Sequence, residues 1–248
     1  MNMRVTNPLT MKLGSFVDLS KDDRDHLNHL ASFPSRMRSG RDIIREGERP
    51  ENVILLLTGW AYRYKVLADG RRQIVAHLLP GDLCDTHVFI LGRMDHSIGL
   101  LSDATVAAIS RETIIEVTER APTIARALWW STLVDEAVLR HWLINIGQRD
   151  AYDRTAHLFC ELWERAAQVG LVNGNAFDLP LTQEQLGDSL GLTAVHTNRV
   201  LQRMRGEGLI TFQGKRLAIL DMEGMRGAAA FDPSYLHLVR RNDKIGPL

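Results

Sequence analysis

Between about Arg36 and Val117, apolar residues come in short strand-like runs rather than at helical spacing. Gly47, Pro50, Gly59, Asp69-Gly70 and Pro80-Gly81 separate these runs at roughly ten-residue intervals, a rhythm that predicts an all-β sandwich or barrel. Asp69-Gly70 lies between YRYKVLA and RRQIVAHLL, both strand-rich, which predicts a hairpin whose turn tolerates positive φ. Ahead of this region DLSKDDRDHLNHL predicts a short helix, with Ser20 as N-cap and acids in its first turn.

After Pro122 the period changes. TIARALWWSTLVDEAVLRHWLINIG holds no Gly or Pro before Gly147, and about 23 residues of helix would span roughly 35 Å. Its apolar residues cover more than one face, whereas a surface helix needs a single stripe. One side is therefore expected to meet its own domain and the other a second subunit, with Leu128, Leu133, Val134, Val138 and Trp142 as dimerisation residues. Burial inside a monomer is the alternative. No clean heptad survives, since Ser131, Asp135 or His141 falls on the seam in several registers. A further helix is predicted over residues 151–169, followed by a linker at Gly170 and Asn173-Gly174-Asn175.

The most informative stretch is LPLTQEQLGDSLGLTAVHTNRVLQRMRGEGLITFQGKRLAIL. Thr182 with Gln185 three residues on is a capping-box pattern, so a helix should begin at Gln183 and stop at Gly191. Thr193 offers a second N-cap, and Gly206 and Gly208 a second stop. Two short helices around a tight glycine turn describe a helix-turn-helix. Thr197, Val200, Leu201 and Met204 should pack inward on Leu186, Leu190 and Leu192. Val195, Asn198, Arg199 and Gln202 are left outside, flanked by His196, Arg203 and Arg205. Thr193–Gly206 holds three arginines and no acid, +3 on a chain of formal net charge zero. Such a local excess suits phosphate, and Arg, Asn and Gln are the side chains that read purine edges in the major groove. An ordinary solvated amphipathic helix is the plainer reading. LITFQGKRLAIL then predicts a hairpin whose basic tip, including Lys215, either touches phosphate or is merely structural.

Composition sets the outer limits. The chain has 248 residues, 45% of them apolar and 24% charged, as expected of a globular protein of one or two domains. No run approaches the roughly 18 apolar residues of a membrane helix, and the first residues lack a secretory apolar core. Cys84 and Cys160 cannot form a disulfide framework, which fits a reducing compartment. No membrane association and a cytoplasmic location are the expectations. Cys84, His87 and His96 are close in sequence, but their spacing fits no metal template. No nucleophile elbow, P-loop or dinucleotide fingerprint occurs, so the protein is expected not to be an enzyme. The competing reading is a β-barrel, cupin-like small-molecule-binding protein or enzyme whose C-terminal unit mediates protein interaction.

From about Phe16 to Leu220 the order of elements resembles the Crp/Fnr transcription regulators. GRDIIREGERPENVILLLTGWAYRYKVLADGRRQIVAHLLPGDL is similar to their β-roll sensor, the Trp-rich helix to their dimerisation helix, and LTQEQLGDSLGLTAVHTNRVLQRMRGEGLI to their DNA-binding signature. The resemblance implies an α+β chain. Its parts would be a jelly-roll-like β-roll sensor over residues 16–120, a dimerisation helix over 121–148, a winged helix-turn-helix over 149–225 and a tail over 226–248. The implied partners are double-stranded DNA with a pseudo-palindromic operator, a second copy of the chain, and RNA polymerase. DNA-contacting residues would be Thr182, Gln183, Thr193, Val195, His196, Asn198, Arg199, Gln202, Arg203 and Lys215. FDPSYLHL is similar to the tail of a subgroup, without a mechanism attached.

Departures from the family pattern matter. Arg199 falls where these regulators keep a base-reading arginine, but Val195 replaces the glutamate many carry one turn earlier, and Asn198 stands where Ser or Gly is usual. Valine cannot accept from cytosine, but it can pack on a thymine methyl, so no family consensus operator transfers. Cyclic-nucleotide binders of this fold use Gly-Glu for the ribose and Arg-Ser/Thr for the phosphate. In PGDLCDTHVFILGRMDHS, Thr86 stands near the glutamate position and Met94 near that of the arginine, with Arg93 one step away. An effector pocket would therefore involve Gly81, Asp82, Thr86, Arg93 and Ser97, with an unidentified small molecule favoured over cyclic AMP. An iron–sulfur cluster needs four thiolates, and two cysteines cannot supply them.

Overall fold

The computed structural model describes residues 7–85 and 92–238. The chain forms two compact units. The first takes in described residues up to 63, between 77 and 135, and beyond 236; the second takes in residues 64–76 and 136–236.

In the N-terminal half, helices α1 (Pro8–Phe16) and α2 (Lys21–Leu30) precede seven strands among the described residues. These are β1 (Pro34–Met37), β2 (Asp42–Ile44), β3 (Asn52–Thr58), β4 (Ala61–Val66), β5 (Arg72–Leu78), β6 (Ser97–Leu100) and β7 (Ala104–Ser110). They form a β1-β7-β3 sheet and a β2-β6-β4-β5 sheet. Val53, Leu55, Leu56, Ile98, Val106 and Ile109 from the two sheets are buried, which is the β-rich core the apolar runs imply. Ser20 caps α2 as expected, in a capping box with Asp23.

Two elements differ from expectation. Helix α1 begins ahead of the expected start of the β-roll at residue 16. Asn7 caps it, Pro8 opens it, and Leu9, Leu13 and Phe16 are buried at i, i+4, i+7. It seats on the Pro80-Gly81 turn, where Lys12 Nζ pairs with Asp82 Oδ1 at 2.5 Å. Gly81 has φ +94°, and a Cβ there would stand 2.6 Å from the Pro8 carbonyl oxygen. The strand-rich stretch also ends sooner than Val117. Arg111–Arg120 is a helix, α3, because Ser110 accepts from the Thr113 N–H and caps a segment whose Thr and Ile residues favour strand.

The long helix is α4 (Pro122–Gln148), with 27 residues. Three of the five residues assigned to dimerisation point inward. Val134, Val138 and Trp142 are buried within the chain, as are Ile124, Ala127 and Ala137. Leu128 is half-buried and only Leu133 of the five is exposed. The exposed apolar stripe is Trp129, Leu133, Leu143 and Ile144, crossed by a Glu136–Arg140 ion pair at 3.0 Å.

The second unit continues with α5 (Ala151–Gln168), β8 (Ala176–Asp178), α6 (Gln183–Leu190), α7 (Ala194–Gly206), β9 (Ile210–Gln213), β10 (Arg216–Ile219), α8 (Met222–Ala229) and a 3-10 turn (Pro233–Leu236). The expected hairpin is present, and β8 adds an unanticipated third strand, giving an antiparallel β8-β10-β9 sheet.

Candidate nucleic-acid interface

Helices α6 and α7 are built locally as their sequence dictates. Thr182 Oγ1 accepts from the Gln185 N–H at 3.1 Å, and Gln185 Oε1 accepts from the Thr182 N–H at 2.9 Å. Gly191 ends α6 in the left-handed region at φ +63°. The reversal is tight. Leu192 N–H donates to the Gly187 carbonyl at 3.0 Å, and a Cβ on Gly187 would meet the Leu192 oxygen at 2.5 Å. Thr193 Oγ1 then accepts from the His196 N–H and starts α7.

The faces of α7 divide as expected. Thr197, Val200, Leu201 and Met204 are buried together with Leu186 and Leu190, while Leu192 is half-buried. The Thr197 hydroxyl, although buried, is satisfied by donating to the Thr193 carbonyl at 3.0 Å. Thr182, Gln183, Thr193, Val195, His196, Asn198, Arg199 and Gln202 are all exposed, with Val195 at 65%. Gln183 Nε2 donates to Asn198 Oδ1 at 3.3 Å, tying the start of α6 to the outer face of α7. Lys215 is exposed in the two-residue Gly214-Lys215 turn, at φ +56° and +63°, which matches the twist of a tight hairpin.

The arginines do not share one role. Arg205 donates to the Phe212 carbonyl at 2.8 Å and so fastens α7 to β9. Arg203 donates through Nε to Glu207 Oε1 at 2.8 Å, and its guanidinium lies 4.1 Å from the ring centre of Tyr152 on α5. The Tyr152 hydroxyl donates to the other oxygen of Glu207. That donation and Arg203 hold the Glu207 carboxyl below its ordinary value. Burial and the same bond push the Tyr152 phenol up to about 12. Arg199 makes no hydrogen bond or ion pair with any described residue. Of the three arginines in this segment only Arg199 is unengaged; Arg203 is paired with Glu207 yet remains exposed, and Arg205 keeps its charge against a neutral carbonyl. Sequence reasoning missed Tyr152 and Glu207; Glu207 lies one residue past the helix window, at the i+4 spacing from Arg203 that signals a pair. An open cleft of about 370 Å³ is lined by Asp150, Ala151, Tyr152, His196, Arg199, Val200 and Arg203.

Of the residues assigned to an effector pocket, Gly81 and Asp82 line one small cavity, while the described Arg93 and Ser97 lie outside it. Asp82 is buried against Lys12 and accepts from the Leu79 N–H at 2.8 Å, and Gly81 lies under α1. Ser97 Oγ accepts from the Glu46 N–H, Arg93 is exposed, and Thr86 falls outside the described residues. The small cavity at Gly81 and Asp82 is lined also by Lys12, Arg63, Ser131, Thr132 and Asp135, not by Arg93 or Ser97, and its volume of about 20 Å³ suits a single water. Both thiols are buried, and burial pushes Cys84 and Cys160 up to about 12. Among the described residues no cluster of three His, Cys, Asp or Glu forms a metal site, and no helix is long and apolar enough to cross a membrane.

Comparison with known families places both halves. Residues 34–121 match the cyclic nucleotide-binding domain, and residues 153–228 match the Crp-like helix-turn-helix domain, in the order the structure presents them. This chain belongs to the Crp/Fnr family. Its curated relatives include the transcriptional activator protein FnrL of Cereibacter sphaeroides, 29% identical over 74% of each chain. The nitrogen fixation regulation protein FixK of Rhizobium meliloti is 28% identical, over 84% of this chain and 95% of its own. The solved structure of FixK2 from Bradyrhizobium japonicum superposes with a TM-score of 0.71 at 25% identity, over 81% of this chain and 98% of that one. Like them, this Crp/Fnr member is a DNA-binding transcription regulator of mixed α+β fold, and none of these relatives is named as an enzyme.

Proposed function

We propose that this regulator acts as a homodimer on a pseudo-palindromic operator in the cytoplasm, each subunit laying α7 in one major groove. The half-sites would then lie roughly one helical turn, about 34 Å, apart. The observation that carries this reading is Arg199, an unengaged guanidinium on the exposed face of a doubly anchored helix, beside Val195, Asn198 and Gln202. In this reading Arg199 reads a guanine edge, and Thr182, Gln183, Thr193 and the wing residue Lys215 meet sugar and phosphate. Residues 16–120 receive a signal, from an unidentified small molecule or another input, and α4 passes it on through subunit pairing. RNA polymerase is the partner through which binding alters transcription.

Selection of bound sites from random duplex DNA tests the reading. The expected product is a two-fold motif, with Arg199→Ala losing about 1–3 kcal/mol on it and relaxing one base position in each half. Recovery of no motif, or an Arg199→Ala variant that selects the same motif with equal affinity, would overturn the assignment.

A further inference from the structure

Glu207 ends α7 as its C-cap and folds back on it. Its two carboxylate oxygens take the Nε–H of Arg203 and the hydroxyl of Tyr152, while the Tyr152 ring lies beneath the same guanidinium. A carboxylate and an aromatic face thus hold, from two sides, a cation that follows Arg199 by one helical turn and lines the same cleft. The pair is open to water, with Arg203 62% and Glu207 41% exposed. Exposed pairs of this kind are weak and screened by salt, whereas a phosphate fixed beside Arg203 accepts charge-assisted bonds of greater strength.

Non-specific affinity for DNA grows with the number of phosphates a protein neutralises. A cation engaged by its own helix subtracts from that number until something better placed displaces its partner. Resting on the DNA-binding reading above, we propose that Glu207 is a specificity-determining residue, which withholds Arg203 from phosphate on random duplex and yields it only when base contacts seat α7 on its operator. Tyr152 is the positioning residue, since from α5 it holds Glu207 and supports Arg203. Glu207 stays ionised at neutral pH because both of its donors favour the charged form.

The test is the salt dependence of binding for the whole protein, on a random duplex and on the selected operator. Glu207→Gln keeps the size of the side chain and an acceptor for Tyr152 but removes the charge. It should steepen the random-duplex salt slope by about 0.9 per subunit and raise random-duplex affinity roughly five- to tenfold per subunit at 0.1 M salt. The operator should gain less, so the specificity ratio falls. Arg203→Gln provides the complementary arm, with several-fold loss on the operator and less than twofold change on random duplex. Adding it to Glu207→Gln should abolish the gain. An unchanged slope in Glu207→Gln, or an Arg203→Gln variant that loses affinity equally on both duplexes, would overturn the proposal while leaving the DNA-binding reading intact. Failure of the wild type to select any motif would overturn that reading instead.

Discussion

Tyr235 lies flat against the imidazole of His141, with ring centroids 3.7 Å apart and planes 17° from parallel. Its hydroxyl continues past that ring and donates to Glu161 Oε2 at 3.1 Å. Glu161 is fully buried and also accepts from Trp142 Nε1 at 3.0 Å, with Arg165 3.3 Å from its other oxygen. The tail, α4 and α5 therefore meet on one carboxylate, which gives the FDPSYL segment a physical role.

Removal of one donor from that carboxylate should be felt by the whole unit. Tyr235→Phe keeps the stacked ring but leaves Glu161 one hydrogen bond short. Urea unfolding should show a loss of about 1–3 kcal/mol, the usual penalty for a buried polar group deprived of a partner. An unmoved midpoint would mean that Trp142 and Arg165 satisfy the carboxylate without the tail.

His157 should make the protein acid-sensitive. Burial, with Arg149 and His141 nearby, lowers it from 6.5 to about 3, and Asn145, Phe231 and Tyr235 pack around it. A folded-state value below the unfolded one means that the unfolded chain binds the proton first. Stability from this group is complete above pH 6.5 and falls progressively down to about pH 3. Between pH 6.5 and 5 the loss should be about 2 kcal/mol. His157→Gln should flatten that part of the stability profile relative to wild type, and parallel profiles would refute the assignment.

Legibility in the sequence followed the range of the interactions involved. Caps at Ser20, Thr182 and Thr193 and the Gly191 stop are local, and each formed where its residues indicate. Helix α1 was not legible because its stability lies in contacts with Asp82 and Gly81, some seventy residues on. Helix α3 was hidden by β-branched residues, whose strand preference Ser110 overrides. On α4, apolar residues all round left the inward side undetermined; only packing shows that Val134, Val138 and Trp142 face the chain's own core. Composition counted Arg203 as free charge because its carboxylate partner, Glu207, is a matter of position, not of type.

The turn between α6 and α7 should depend more on close approach than on backbone handedness. Gly191→Ala places a side chain at φ +63° in ordinary contact with Ile146 Cδ1 at 3.6 Å, costing about 1–2 kcal/mol. Gly187→Ala has ordinary helical φ but would put a methyl 2.5 Å from the Leu192 carbonyl oxygen, which neither backbone can easily vacate. Calorimetric melting should rank Gly187→Ala as the more destabilising of the two, and the opposite ranking would show that the turn relaxes.

The exposed stripe of α4 should govern association. Leu143 is 75% exposed and Trp142 is buried next to it in sequence. Leu143→Glu should shift sedimentation from dimer to monomer while leaving the melting of the isolated subunit nearly unchanged. Trp142→Phe should do the reverse, lowering stability through the lost bond to Glu161 without altering the assembly state. Dimers that persist in Leu143→Glu would move the interface elsewhere.

Val195 offers a way to rewrite the operator. It is the one large apolar residue exposed on α7, and in a major groove its natural neighbour is a thymine methyl. Val195→Glu replaces that contact with an acceptor for the exocyclic amine of cytosine. It also sets a carboxylate four residues before Arg199, a spacing at which the two side chains support each other. Site selection with this variant should therefore change one position in each half-site from thymine to cytosine, with a discrimination of about 1–3 kcal/mol, and leave the position read by Arg199 unaltered. Competition between duplexes differing only at that position measures the change directly. If the variant still prefers thymine there, Val195 does not face a base, and α7 enters the groove at a rotation different from the one its exposed residues imply.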